Sequence, residues 1–284
     1  MNGQIMNMRW KNIKILNDKY YTPSDLAKYC VNKTKEIIGT ENITEYIEPS
    51  AGAGVFLNYL DKPYLAYDIE PDDKRITEQD YLTLDLSYKK GRCAIGNPPF
   101  GTKNNLTVQF YKKLINECDY ISLILPISQY KNDIKLYEFN LVHSEDLGEQ
   151  QYSDRKIHCC LNIYKKPKNT LNKKPIYKLQ DVEIIERIKN SNPKRNKPFD
   201  VLNEDYDIRM IGWGAVGRFL NRTDKQYAKE FIIKIHNDVY KNKIINLLKH
   251  TNWVKEYAMT ATPNLSQWQI YKYIKEQIPE IRWK

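Results

Sequence analysis

No stretch of this 284-residue chain approaches the roughly 18 uninterrupted apolar residues of a membrane span. The opening residues, MNGQIMNMRWKNIKIL, lack the apolar core of a secretory signal. Five cysteines, an odd count without a CxxC pair, suit neither a disulfide framework nor a structural zinc site, so no metal is expected. Cys159 and Cys160 are neighbours in a strand-like run, where they should point to opposite faces as small hydrophobes. No internal repeat stands out. With 41% hydrophobic residues, the expectation is a globular, cytoplasmic protein with no membrane partner.

What is present is unevenly placed. Residues 1–166 carry 22 basic and 22 acidic side chains, so the whole net charge of +10 falls in residues 167–284. A neutral first part followed by a basic second part suggests that the second faces a polyanion, nucleic acid above all.

Strand-like and helix-like segments alternate through residues 1–166, as in an α/β domain with a largely parallel sheet. YTPSDLAKYCVNKTKEII reads as a helix with Ser24 as N-cap and Asp25 in its first turn. TEYIEP, PYLAYDIEP, RCAIGNPPF, YISLILPIS and KIHCCLNIYKK read as strands. GVFLNYL and VQFYKKLINECD read as helices. The polar segment 165–179, punctuated by Pro167 and Pro175, reads as a linker. Beyond it come a predicted helix (DVEIIERIKNS), a basic loop (NPKRNKPFD), strands (YDIRMIGWG, EFIIKI) and two helices (KNKIINLLKH, NLSQWQIYKYIKEQI). In the last helix Leu265, Trp268, Tyr271, Ile274 and Ile278 form one stripe, read as core. The expected division is 1–166 and 167–284.

In EPSAGAGVF a strand runs into a turn at the sheet's carboxyl edge, where ligands of such sheets bind. Gly52 and Gly54 there let backbone N–H groups approach a ligand closely. Asp68 ends the next strand, placed to accept hydrogen bonds from two ribose hydroxyls. Asp80, in EQDYL, could accept from the amine of an adenine ring. Together they describe a pocket for an adenosine-containing cofactor. GWGAVG (212–217) also matches G-x-G-x-x-G, but no βαβ unit surrounds it, and it reads as a turn.

The stretch IGNPPFG (95–101) ends a strand in two prolines that neither donate to a ladder nor continue a helix. NPPF resembles the catalytic motif of the S-adenosylmethionine-dependent N6-adenine methyltransferases, and the other segments follow that family's order over residues 20–166. YYTPSDLA, with Tyr21, Thr22 and Pro23, resembles the motif that helps hold the cofactor's methionine end. EPSAGAGVF resembles the cofactor loop, contributing Glu48, Pro49, Ser50, Ala51, Gly52 and Gly54. YDIEP, with Asp68 and Ile69, resembles the ribose-binding segment, and EQDYL, with Asp80 and Tyr81, the adenine-binding one.

The resemblance implies a Rossmann-like methyltransferase fold with a mostly parallel seven-stranded sheet, followed by a smaller basic α+β domain. About forty residues separate the cofactor loop from NPPF, so target recognition is expected C-terminally, as in the family's gamma class. The implied catalytic residues are Asn97, Pro98, Pro99 and Phe100. Asn97 and the Pro98 carbonyl would accept both hydrogens of the adenine amine, and Phe100 would stack on a flipped base. Tyr152 and His158 are candidates for a second stacking ring. Lys103, Lys156, Lys194, Arg195, Lys197, Arg209, Arg218 and Arg222 are candidate phosphate contacts, and Trp213 reads as more fit for burial than for a groove. The implied substrate is double-stranded DNA; the alternatives are RNA, or a catalytically silent nucleic-acid-binding subunit with the same fold, and a restriction-modification partner is compatible with this class.

Overall fold

The computed structural model describes residues 21–101, 104–152, 155–189, 205–260 and 262–284. The chain divides into two compact units, Met1–Pro175 and Ile176–Lys284. Their boundary lies inside the segment read as linker.

The first unit is built on strands β1 (Glu45–Glu48), β2 (Tyr64–Asp68), β3 (Thr77–Glu78), β4 (Arg92–Gly96), β5 (Tyr120–Pro126), β6 (Asn140–Tyr152) and β7 (Arg155–Lys165). They form one sheet in the order β3-β2-β1-β4-β5-β7-β6. Every pairing from β3 across to β5 is parallel, and β7 runs antiparallel to both its neighbours. A mostly parallel seven-stranded sheet is what the resemblance implies, and the chain has it.

Helix α1 (Ser24–Ile38) covers one face and α2 (Asn105–Leu114) the other. Alternation along each strand feeds the two layers. Tyr46, Cys93, Ile95, Cys159 and Leu161 pack with Ala27, Cys30 and Val31 of α1. Ile47, Ala94, Ile121, Leu123 and Cys160 pack with Tyr111 and Leu114 of α2. Cys159 and Cys160 therefore do face opposite ways, both fully buried.

Three local expectations are corrected. Ser24 is the first helical residue rather than the N-cap; Pro23 occupies that position, and Ser24 Oγ lies 2.6 Å from the Tyr59 hydroxyl. GVFLNYL forms only a 3-10 turn at Phe56–Tyr59, because Gly52 and Gly54 hold left-handed φ values that delay any helix start. The strand β6 is absent from the sequence reading. It pairs only with β7, through two register shifts, and its charged side chains suit an outer strand more than a hydrophobic pattern would show.

The second unit pairs β8 (Val182–Ile188), β10 (Lys229–Ile235) and β9 (Ile208–Ile211) antiparallel, in that order. DVEIIERIKNS is thus a strand, not a helix. Val182 and Ile184 are buried while Glu183 and Glu186 are exposed, and a seven-pair ladder with β10 overrides the helical leaning of its glutamates. Helices α3 (Asp238–His250), α4 (Trp253–Glu256) and α5 (Gln267–Gln277) pack on the face presented by Ile208, Met210, Phe231 and Ile233. Leu265, Tyr271, Ile274 and Ile278 are buried there as read. GWGAVG is a turn after β9, closed by Ile211 N–H to the Arg218 carbonyl and Gly217 N–H to the Ile211 carbonyl.

Candidate active site

The carboxyl ends of β1, β2 and β4 lie side by side in the sheet, and EPSAGAGVF, YDIEP and NPPF run out of them. The two ends of β1 make a useful contrast, since each carries a buried glutamate. Glu45, at the amino end, meets Lys89 Nζ and Arg92 Nε at 2.7 Å each. Burial pushes its carboxyl up, but those hydrogen bonds more than offset it, and the acid is held below its ordinary range. Glu48, at the carboxyl end, is 2% exposed, and its Oε2 is buried with no hydrogen-bond partner. Burial raises this carboxyl well above its ordinary value, Asp68 adds to the rise, and Arg75 opposes it.

Two more buried polar atoms without partners occur nearby in sequence and topology: Ser50 Oγ in the turn after β1, and Asn97 Oδ1 directly after β4. Buried polar atoms are nearly always satisfied, so three at one sheet edge point to a ligand. Gly96 ends β4 at φ +151°, and a Cβ on it would reach only ordinary contact with Glu48 Cγ, at 3.4 Å.

The turn is held by its own acids. Asp68 Oδ2 accepts from Gly52 N–H at 2.7 Å, and Oδ1 accepts from Glu70 N–H at 2.9 Å. Gly54 sits at φ +69°, and a Cβ would meet Asp73, Leu57 and Arg75 at 3.2–3.3 Å. Arg75 clamps Asp73, whose carboxyl is thereby lowered to about 2. The Tyr21 ring passes over Gly52, its hydroxyl donating to Asp72.

Thr22 is 8% exposed and its Oγ1 accepts from Asn97 Nδ2 at 3.3 Å, bringing the first motif to the fourth strand. Sequence reasoning missed that link, because nothing in YYTPSDLA marks the threonine as a partner for a residue 75 positions away. Pro98 is buried, and the Pro99 carbonyl accepts from Thr107 Oγ1 at 3.4 Å. Phe100 is half-buried against the α1-side core.

Other candidates fall elsewhere. Ile69 is exposed beyond β2, and Asp80 Oδ1 accepts from Leu82 N–H at 2.9 Å. Tyr81, read with the adenine-binding segment, is core. Its ring stacks between Tyr67 and Phe110, and its hydroxyl donates to Glu117. Tyr152 is fully buried, and His158 Nε2 lies 2.5 Å from Asp146 Oδ1, so the two proposed stacking rings are already engaged.

Arg209, read as a phosphate contact, is corrected outright. It is 2% exposed, paired with Glu230 at 2.9 Å, and it donates to the carbonyls of Asn221, Asp224 and Lys225. Strand alternation places it on the sheet face opposite Ile208 and Met210, where Glu230 and the carbonyls at 221, 224 and 225 enclose it, a burial its charge concealed. Arg218 and Arg222 are exposed, over the rings of Tyr227 and Tyr206, and Lys156 is exposed on β7. Trp213 is 47% exposed, against the reading that favoured burial. Lys103, Lys194, Arg195 and Lys197 lie outside the described residues. Among the described residues no cluster of histidine, cysteine and acids could hold a metal.

No protein-family model matches the sequence. No curated protein matches it. Among solved structures the chain is similar to a candidate RNA methyltransferase from Pyrococcus horikoshii, with 16% identity and a TM-score of 0.42 over 52% of this chain and 86% of that one. It is similar to the 23S rRNA methyltransferase ErmE at 11% identity and a TM-score of 0.40, over 55% of this chain and 72% of that one. A type I restriction-modification methyltransferase subunit from Streptococcus thermophilus gives 13% identity and a TM-score of 0.40, over 92% of this chain and 59% of that one. At that level of likeness, what the chain does is read from its own residues.

Proposed function

We propose that this chain transfers a methyl group from S-adenosylmethionine to the N6 amine of an adenine in DNA. The observation that carries the reading is the set of unsatisfied buried atoms, Glu48 Oε2, Ser50 Oγ and Asn97 Oδ1, at the carboxyl edge of β1 and β4. The residues fit the cofactor. Glu48 and Ser50 offer buried acceptors for its polar methionine end, Gly52 and Gly54 bring backbone close, and Asp68 ends β2 where ribose hydroxyls would lie.

Bound S-adenosylmethionine supplies a methyl group already activated as a sulfonium. Asn97 Oδ1 and the Pro98 carbonyl accept the two N6 hydrogens, which favours a tetrahedral nitrogen whose lone pair points away from the ring system. The prolines stiffen the chain so that both acceptors converge, and acceptors fixed in advance cost little reorganisation. Phe100 offers a ring face to a base drawn out of its stack, worth about 1–3 kcal/mol per base. The proton that N6 sheds after methylation passes to solvent.

DNA is favoured over RNA by the basic second unit and by the lack of RNP-type, KH-like or zinc-knuckle motifs in the sequence. The direct test is methyl transfer to unmodified duplex DNA and, in parallel, to RNA, with products digested to nucleosides. N6-methyldeoxyadenosine is the expected product. N6-methyladenosine from RNA alone would transfer the reading to RNA, and no methylated nucleoside from either would overturn it.

Three further outcomes are expected. Glu48→Gln should weaken cofactor binding by about tenfold, because the buried acid loses its capacity to ionise against a cationic ligand. The same change should stabilise the ligand-free protein as pH rises. A carboxyl raised by folding binds its proton more tightly in the folded state, so wild-type stability falls from the ordinary carboxyl pKa of about 4.5 upward, and the variant escapes that loss. Melting temperatures of both proteins from pH 4 to pH 8 should diverge with pH; parallel curves would show that Glu48 is not held neutral. For DNA, if Arg218, Arg222 and Lys156 meet phosphates, log affinity should fall with log salt at a slope steeper than about −2. A flat dependence would remove them from the interface.

A further inference from the structure

The Asn97 amide can sit in its slot in two ways, related by a half-turn of its terminal group, and only one of them suits an amine substrate. With Oδ1 facing the adenine, the side chain accepts. Reversed, it presents N–H groups to N–H groups. What surrounds the nitrogen therefore decides whether the site works.

Asn97 Nδ2 donates to Thr22 Oγ1 at 3.3 Å. The Tyr152 hydroxyl lies within hydrogen-bonding reach of the same side chain. Tyr152 is 0% exposed, at the end of β6, and packs among α1 and β7 residues. Cys159 Sγ lies 3.7 Å from the Tyr152 hydroxyl. Asn97 Oδ1 is the atom left buried and unpartnered.

We infer that Thr22 and Tyr152 are positioning residues that hold the Asn97 amide with its oxygen toward the substrate amine. The inference rests on the methyl-transfer reading. A primary amide nitrogen has two N–H donors, and the two hydroxyls offer one acceptor each. A hydroxyl can also donate, so the preference requires that its own proton be spent elsewhere. For Tyr152 the Cys159 sulfur, a weak acceptor, provides that outlet and leaves an oxygen lone pair for Asn97. The cysteine is suited to this because burial raises its thiol to about 11, so it carries no charge to compete. Tyr152 accordingly acts behind Asn97 and does not stack on the base.

The test uses Tyr152→Phe, Thr22→Val and their combination, with Thr22→Ser as the conservative change. Three quantities are measured on the full chain: single-turnover methyl transfer at saturating cofactor, cofactor Kd by calorimetry, and the side-chain amide 15N–1H resonances of Asn97, assigned by their loss in Asn97→Ala. Tyr152→Phe and Thr22→Val should each slow transfer by about 10- to 100-fold, with Tyr152→Phe leaving cofactor Kd within about threefold. The combined variant should fall no lower than Asn97→Ala, Thr22→Ser should retain the wild-type rate, and the amide resonances should move in every slowed variant. A wild-type rate in Tyr152→Phe with unmoved Asn97 resonances would overturn the inference for that residue. Lost cofactor affinity without slowed transfer in Thr22→Val would overturn it for Thr22. If the wild-type chain methylates no nucleic acid, the methyl-transfer reading fails instead, and the resonances alone judge how the amide is held.

Discussion

Asn97→Ala is expected to lower the single-turnover rate of methyl transfer by about 10²- to 10³-fold, the scale of losing one preorganised acceptor or donor at a reacting centre. Cofactor affinity should change by less than about threefold, because the atoms proposed to hold the cofactor lie on the turn after β1 and at the end of β2. The fold should tolerate the change well. Asn97 is half-buried after β4, and its hydrogen bond to Thr22 is a long 3.3 Å. Deleting the amide also removes an unsatisfied buried oxygen, so the melting temperature should stay level or rise slightly. An active site that gains stability on losing its key side chain is the expected sign of a group placed for function. Radiolabelled methyl transfer and a thermal melt on the same preparation check both halves. A variant that transfers methyl within about tenfold of wild type would remove Asn97 from catalysis.

The strand–turn pattern of the first unit was legible because it is a buried parallel sheet. β5 is continuous apolar sequence, and β1, β2 and β4 each run into a turn residue that interrupts the pattern. The edge was not legible. β6 carries Glu145, Asp146, Glu149 and two glutamines and reads as loop until β7 pairs with it. β8 failed for the opposite reason, since Glu, Ile and Arg at close spacing suit a helix and only the ladder with β10 decides otherwise. In the candidate site, motif order singled out Glu48, Ser50 and Asn97 but could not show that each keeps a buried atom unpaired. It also placed Tyr81 with Asp80 because the two are adjacent, whereas adjacent residues around a turn diverge, one capping it and the other entering the core. Contacts such as Thr22 to Asn97 are invisible to sequence, since only tertiary packing brings α1's entry beside the end of β4.

Charge misled most where it was buried, and the consequence should be large. Glu230→Ala is expected to destabilise the second unit by about 3–5 kcal/mol, the usual cost of breaking a buried ion pair from one side. Glu230 is 0% exposed on β10, on the sheet face opposite the helices. Its Oε1 meets Arg209 Nη2 at 2.9 Å and accepts from Tyr227 N–H at 2.5 Å, while Arg187 Nη1 lies 3.6 Å from Oε2. Without it two guanidinium groups face each other on one sheet face, one of them 2% exposed, and burial already holds the Arg187 pKa below its ordinary value. Arg209 would keep its three carbonyl partners at 221, 224 and 225, so the loss falls on charge rather than on hydrogen-bond count. Replacing both partners, as Arg209→Met with Glu230→Leu, should recover most of the stability, because a well-packed apolar pair avoids the desolvation that the ions suffer. Urea unfolding followed by tryptophan fluorescence isolates this unit, since Trp213, Trp253, Trp268 and Trp283, four of the five tryptophans, belong to it. If the second unit binds DNA as proposed, cofactor binding at the first unit should persist in Glu230→Ala while DNA affinity collapses. An unchanged urea midpoint would mean that the arginine is held by its carbonyls alone, and that the 221–225 loop, not the ion pair, secures the sheet.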